Sequence, residues 1–347
     1  MERELDAWFS RYDVDDDGEL RVHEVRKMLD DMFAAGKSGV PLTEKSITNL
    51  MTALDIDESG TVNRVEFETA WRSWLGRAVN PVRCLLIIDV QNDFTMGTMA
   101  VTGGEAIVPV INQLRAQHKF DVCAFSRDWH PHDHCSFHET FVGNGPLPAP
   151  LHPDLTPAEK AAAVDPPVYS SVVFAAPNGV RMDQMLWPRH CTQNSWGAEN
   201  HPDLVTRSSD LEIHKGSNAA VDSYSAFYDN MKLTDTGLLG KLRALGVTHV
   251  YCVGIALDYC VASSALHAAE EGLCVTVVED ACAAVGPETA AVRKRSMEDA
   301  GITVCTTAEL PDVMRRDTLE DVVNAASSIQ KARKQSALCQ HQYALRH

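Results

Sequence analysis

The stretch VTHVYCVGIALDYCVASSALHAAEEG, residues 247–272, decides the fold. Its first part, VTHVYCV, is a short, mostly apolar run of the kind a buried strand needs. ASSALHAAEEG carries a helical pattern. A cysteine, Cys260, therefore stands where a strand has ended and a helix begins. Either this thiol is a nucleophile or it is one more buried cysteine, since free cysteine is among the most buried residue types.

Working outward, CLLIIDV (84–90), FDVCAFS (120–126), LEIHK (211–215), LCVTVVED (273–280) and GITVCT (301–306) read as further short buried strands. Helical patterns at 104–117, 236–245, 261–271 and 288–300 lie between most of them. Strands alternating with helices predict an α/β fold, a doubly wound parallel sheet with helices on both faces. The exception is 139–210. Its first part, VGNGPLPAPLHPDLTPAEKAAAVDPPV, is rich in proline, and a surface insertion or lid is expected over 139–185.

Ahead of this lies an internal repeat. DVDDDGELRVHE (13–24) and DIDESGTVNRVE (55–66) superimpose at a 42-residue offset. Asp13, Asp15 and Asp17, and likewise Asp55, Asp57 and Ser59, offer side-chain oxygens at positions 1, 3 and 5. Gly18 and Gly60 permit the sharp turn, and Glu19 and Thr61 offer backbone carbonyls. Glu24 and Glu66 supply the bidentate carboxylate at position 12. A hard, seven-coordinate cation needs that geometry. Leu5, Phe9 and Tyr12 lead into the first loop, and Phe67, Trp71 and Leu75 leave the second at helical spacing. The segment resembles a paired EF-hand, a small all-α calcium-binding domain over 1–77. The α/β domain would then span 82–315. Residues 316–347 read as a C-terminal helix with a basic tail.

Composition narrows the function classes. Of the 347 residues 45% are apolar, enough to bury a large core. Lys and Arg total 31 against 48 Asp and Glu, a net charge of −17. That balance argues against nucleic acid or an anionic membrane as partner and suits cation binding. The N-terminus, MERELDAWFSRYDVDDDG, has no apolar signal core, and no run reaches membrane-spanning length. The 10 cysteines are scattered without a CxxC, which favours reduced thiols in the cytosol or nucleus.

In doubly wound sheets, ligands bind beyond the carboxyl ends of the strands. Asp89, Asp128 with His130, Lys215 and Cys260 all stand at such ends. An acid, a base, a thiol and a metal-type Asp-x-His thus converge on one crevice. A thiolate at Cys260 would be favoured by the helix dipole and by Lys215, and Asp89 could take its proton. The third metal ligand is open on this reading, because His132, His134, His138 and His190 are all nearby.

Five segments carry a more specific resemblance: LLIIDVQNDF (85–94), SRDWHPHDHCSF (126–137), LWPRHCTQNSWGAE (186–199), HKGSNAAVDSYSAF (214–227) and VGIALDYCV (253–261). From about 83 to 310 the chain resembles the nicotinamidases of the isochorismatase-like cysteine hydrolase superfamily. The resemblance implies that Asp89, Lys215 and Cys260 are the catalytic triad and that Asp128, His130 and His190 hold a transition metal. Zinc comes first as that metal, with iron and manganese also compatible. It further implies a cis peptide at Ile255–Ala256, with the amides of Ala256 and Cys260 forming the oxyanion hole. Phe94, Trp187 and Tyr224 would wall a pyridine ring, and His134 matches a histidine close to the metal in some relatives. The implied reaction is hydrolysis of nicotinamide to nicotinate and ammonia through a thioester, in NAD salvage. Pyrazinamide would also be a substrate, and assembly into a homo-oligomer is left open. The rival readings are a sibling amidase of the same fold, or a calcium sensor whose hydrolase domain is only a scaffold.

Overall fold

The computed structural model describes residues 2–34, 43–76, 81–143 and 145–314. The expected C-terminal helix and tail, 316–347, lie outside the described residues. The chain divides into two compact units, one running to Pro81 and taking in the segment that begins at Glu309, the other Val82–Ala308.

In the first unit, helices Glu2–Tyr12 and Val22–Ala34 flank one acidic loop, and Glu44–Leu54 and Arg64–Ala70 flank the other. Phe9, Leu20, Met28, Leu50, Val62 and Phe67 form its core and are fully buried. Between the loops, β1 (Glu19–Leu20) pairs antiparallel with β2 (Val62–Asn63), so the two apolar position-8 residues enter this core together. Gly18 and Gly60 lie at φ +84° and +89°, where a side chain would be strained. Asn63 caps its helix, accepting from the Glu66 N–H at 3.0 Å while Glu66 accepts from the Asn63 N–H at 2.9 Å. The position-12 glutamate is thereby fixed by the helix start itself.

In the second unit all six strands read from the sequence join one parallel sheet. They are β3 (Arg83–Ile88), β4 (Val122–Asp128), β7 (Leu211–Lys215), β8 (His249–Ile255), β9 (Cys274–Ala283) and β10 (Thr303–Cys305), in the order β10-β9-β8-β3-β4-β7. Successive residues of β3 point to opposite faces, yet Cys84, Leu85, Leu86, Ile87 and Ile88 are all buried. Both faces are covered, which is why these strands read as continuous apolar runs rather than alternating ones. Strand order turns back at β3, which lies between β4 and β8. The crevice at that switch point is where a ligand is expected.

The 139–185 segment is more structured than a surface loop. It contains an antiparallel hairpin, β5 (Ser171–Ala175) with β6 (Arg181–Met185). Val172, Phe174, Met182 and Leu186 pack with Cys135, Ala149 and Val221 into a small core of their own. Its prolines predict a loop from local sequence, whereas the hairpin is held by contacts with Cys135, Leu186 and Val221 outside the segment.

Candidate active site

Asp89 follows β3 and Lys215 ends β7, and both are buried beneath the crevice. The Lys215 ammonium lies 2.8 Å from Asp89 Oδ2 and contacts Asp128 Oδ1. It donates to the Ser223 carbonyl at 2.8 Å and stands 3.5 Å from the Cys260 sulfur. The other Asp89 oxygen accepts from the Ser126 hydroxyl at 2.7 Å. One buried cation thus joins two carboxylates and a thiol. An arrangement so desolvated survives only when every charge is paired.

Cys260 sits in a single wide turn, Leu257–Val261, whose Val261 N–H reaches the Ala256 carbonyl at 3.0 Å ahead of helix Ala262–Glu270. Such π-turns are frequent at functional sites. The preceding peptide, Ile255–Ala256, is cis. Burial pushes the Cys260 thiol well above its ordinary pKa, and Asp89 and Asp128 add to this against Lys215. Burial therefore works against the dipole-favoured thiolate expected from the sequence, while Lys215 works for it. Burial likewise raises Asp89, to about 6, with Lys215 opposing and Asp128 reinforcing. A neutral thiol thus faces a carboxylate poised near neutrality, the pairing a general base needs.

Asp128, His130 and His190 place three ligand atoms within 4.8 Å of one another, all in buried residues. His130 Nε2 is 3.4 Å and His190 Nε2 3.9 Å from Asp128 Oδ2. Each ring is oriented from behind, His130 Nδ1 donating to the Gly216 carbonyl at 2.9 Å and His190 Nδ1 to the Pro188 carbonyl at 2.7 Å. Both Nε2 atoms are thereby left to converge, as metal-binding imidazoles require. Burial followed by His130 lowers His190 to about 4, so it is a neutral donor at neutral pH. Although burial opposes it, Lys215 and His130 hold the Asp128 carboxyl well below the usual range. The donor set fits a divalent transition metal. Of the other histidines, His132 is exposed and His138 bonds the Pro166 carbonyl at 2.9 Å. His134 stacks on His130 at 4.0 Å with its Nδ1 on Ser136.

Above these groups opens a cleft of about 420 Å³ including its mouth. Phe94, Trp187 and Tyr224 line it with Ala256, Cys260, Asp128 and His190, so the expected aromatic wall and the reactive groups share one space. The reading from sequence missed Met99, Val101, Asp222, Tyr259 and Val285, which line it too. Tyr259 adjoins Cys260 and Val285 follows β9, so strand-end positions pointed to both. Met99, Val101 and Asp222 carry no such local signal.

In the acidic loops, Asp13, Asp15 and Asp17 gather their carboxylates within 4.8 Å, as do Asp55, Asp57 and Glu66. Ser59 and Thr61 hydroxyls meet at 3.2 Å, and Thr61 donates to Glu19 at 2.6 Å. Glu24 turns inward, accepting from the Val14 and Arg21 N–H groups at 2.9 Å each.

Known proteins match both units. The isochorismatase domain profile covers residues 83–309 and the EF-hand domain pair profile residues 2–72. The chain is 39% identical over 202 residues to the nicotinamidase of Acinetobacter baylyi, covering 58% of this chain and 81% of that one. Among solved structures, the Acinetobacter baumanii nicotinamidase pyrazinamidease superposes with a TM-score of 0.54 at 35% identity, over 66% of this chain and 98% of that one. The yeast nicotinamidase Pnc1p bound to the inhibitor nicotinaldehyde gives 0.55 at 28% identity, over 65% of this chain and all (100%) of that one. The chain therefore belongs to the isochorismatase-domain family, as an amide hydrolase similar to nicotinamidases, with an EF-hand pair ahead of that domain.

Proposed function

We propose that this protein hydrolyses nicotinamide to nicotinate and ammonia through a thioester on Cys260. The observation that carries this reading is the sharing of Lys215. Its ammonium touches Asp89, Cys260 and the metal-type ligand Asp128 at once, under a cleft walled by aromatic rings. Asp89 takes the thiol proton while Cys260 Sγ attacks the carboxamide carbon. The oxygen that gains charge is received by the backbone N–H groups of Ala256 and Cys260. Collapse breaks the carbon–nitrogen bond, and Asp89 returns its proton so that ammonia leaves. Asp89 next deprotonates a water that attacks the thioester, and Cys260 departs to recover that proton. Lys215 keeps compensating charge beside Asp89 throughout.

Asp128, His130 and His190 would hold the transition metal, zinc fitting the O,N,N set first and iron or manganese also. Bound there, it supplies a Lewis-acid anchor for the ring nitrogen. Phe94, Trp187 and Tyr224 hold the flat ring so that its carboxamide faces Cys260. Pyrazinamide has the same ring-and-amide shape and is accepted on this reading. Both EF-hand loops take calcium, through Asp13, Asp15, Asp17, Glu19 and Glu24, and through Asp55, Asp57, Ser59, Thr61 and Glu66. The described cysteines are all free, in keeping with a reducing compartment such as the cytosol. Among the described residues no helix is long and apolar enough to cross a membrane.

The test is ammonia release from nicotinamide by the intact protein and by Cys260→Ala. Turnover by the wild type and none by a folded Cys260→Ala is expected. Appreciable ammonia from Cys260→Ala overturns the thioester, and none from the metal-loaded wild type overturns the function.

A further inference from the structure

The aromatic wall has an outer member that the proposed reaction does not use. Tyr169 lies in the 139–185 segment and is 58% exposed. Its ring meets the Trp187 ring edge to face, centroids 5.8 Å apart and planes at 76°. Trp187 is only 5% exposed. Its other ring neighbours are Tyr259 at 5.1 Å, and Tyr224, whose hydroxyl accepts from the indole N–H at 3.4 Å. Tyr224 and Tyr259 line the cleft with Trp187, whereas Tyr169 stands outside it.

The backbone at Tyr169 is not an easy one. Its φ is +66°, a region that a bulky residue seldom adopts and that glycine enters freely. It is held there by two bonds to the residue next to Trp187. The Tyr169 N–H donates to the Leu186 carbonyl at 2.8 Å, and the Leu186 N–H donates to the Ser170 carbonyl at 2.9 Å. A largely exposed aromatic residue in a strained conformation gains little from burial and nothing from backbone preference. What it does gain is a fixed place against Trp187, and such outliers cluster at ligand clamps.

We propose that Tyr169 is a positioning residue that acts through Trp187 to set how tightly the cleft binds a flat ring amide. This rests on the amidase reading above. Tyr169 packs against the indole in addition to Tyr224 and Tyr259, and this further ring contact restrains the Trp187 rotamer. It touches neither Cys260 nor the carboxylates, so its effect falls on substrate binding and not on the chemical step. The segment 139–185 thus serves the site by bracing one wall.

Steady-state nicotinamide turnover and thermal unfolding of the full chain, for the wild type and three variants, test this. Tyr169→Ala should raise KM about three- to tenfold, the span of an aromatic pair contact, with kcat within twofold. Tyr169→Phe keeps the ring and should keep the wild-type KM. Tyr169→Gly removes the ring and the backbone strain together, so it should share the raised KM yet melt above Tyr169→Ala. A raised KM in the more stable glycine variant separates a role in binding from a role in folding. Wild-type KM in both the Ala and Gly variants overturns the proposal, as does a loss confined to kcat. Absence of turnover by the wild type overturns the amidase reading, and this inference with it.

Discussion

Replacing Gly216 with alanine probes the metal-type ligands without altering any of them. Gly216 lies at φ +66°, and a Cβ there would meet His130 Cε1 at 2.4 Å and Nδ1 at 2.5 Å. Ordinary contact needs about 1 Å more. The His130 ring has nowhere to retreat, stacked on His134 at 4.0 Å and edge-on to Phe137 at 5.5 Å. The left-handed backbone costs about 1–2 kcal/mol and the overpacking about 1–3 kcal/mol, roughly 2–5 kcal/mol together. For a domain of this size that lowers the melting temperature by roughly 5–20 °C. Pushing the ring off the Gly216 carbonyl also releases its orientation, for which a loss of about 10–100-fold in metal affinity is expected. Gly179→Ala is the control, since that glycine lies at φ +78° with nothing within 4 Å of its Cβ and bears the backbone term alone. The assays are bound metal by elemental analysis after dialysis, and thermal unfolding. A Gly216→Ala protein with wild-type metal content and a melting temperature equal to that of Gly179→Ala would refute the contact.

Activity should also depend on pH through Asp89. Its folded pKa is raised to about 6, so the base form is lost as pH falls through that value, and kcat/KM should decline tenfold per unit below it. A profile flat from pH 7 to 4.5 would remove Asp89 from the role of base. Benzamide lacks the ring nitrogen and should be turned over far more slowly than nicotinamide; equal rates would end the anchoring role of the metal. His190→Ala should lose metal and activity together, because three ligands cannot spare one, and retention of stoichiometric metal would exclude His190 as a ligand. Glu24→Gln with Glu66→Gln should abolish calcium binding in titration calorimetry. Calcium should raise the melting temperature of the wild type and leave turnover unchanged, and a large change in turnover at constant melting temperature would make calcium a regulator instead.

Much of this was legible along the chain, because some signals are local. A strand buried on both faces has no polar side, so the runs at 84–90 and 248–254 announce a parallel sheet without any partner in view. A parallel sheet then fixes where ligands go, and Asp89, Asp128, Lys215 and Cys260 stand at those ends. The EF-hand loops are likewise self-contained, each closing its geometry within 12 residues.

What the tertiary structure alone decided concerns groups far apart in sequence and the medium between them. Lys215 meets Asp128 across 87 residues and Cys260 across 45, and no local pattern states that one ammonium serves both. Residue order left His132, His134, His138 and His190 open as a third ligand, and only the resemblance named His190. In the fold the Pro188 and Gly216 carbonyls hold the rings of His190 and His130 with both Nε2 atoms toward Asp128. The hairpin Ser171–Ala175 with Arg181–Met185 was obscured by the prolines before it, and its core needs Cys135 and Val221 from elsewhere. The protonation of Cys260 lay furthest from view. Neighbouring charges can be counted from residues, but desolvation depends on how completely the folded chain excludes water, and at Cys260 burial raises the thiol while Lys215 lowers it.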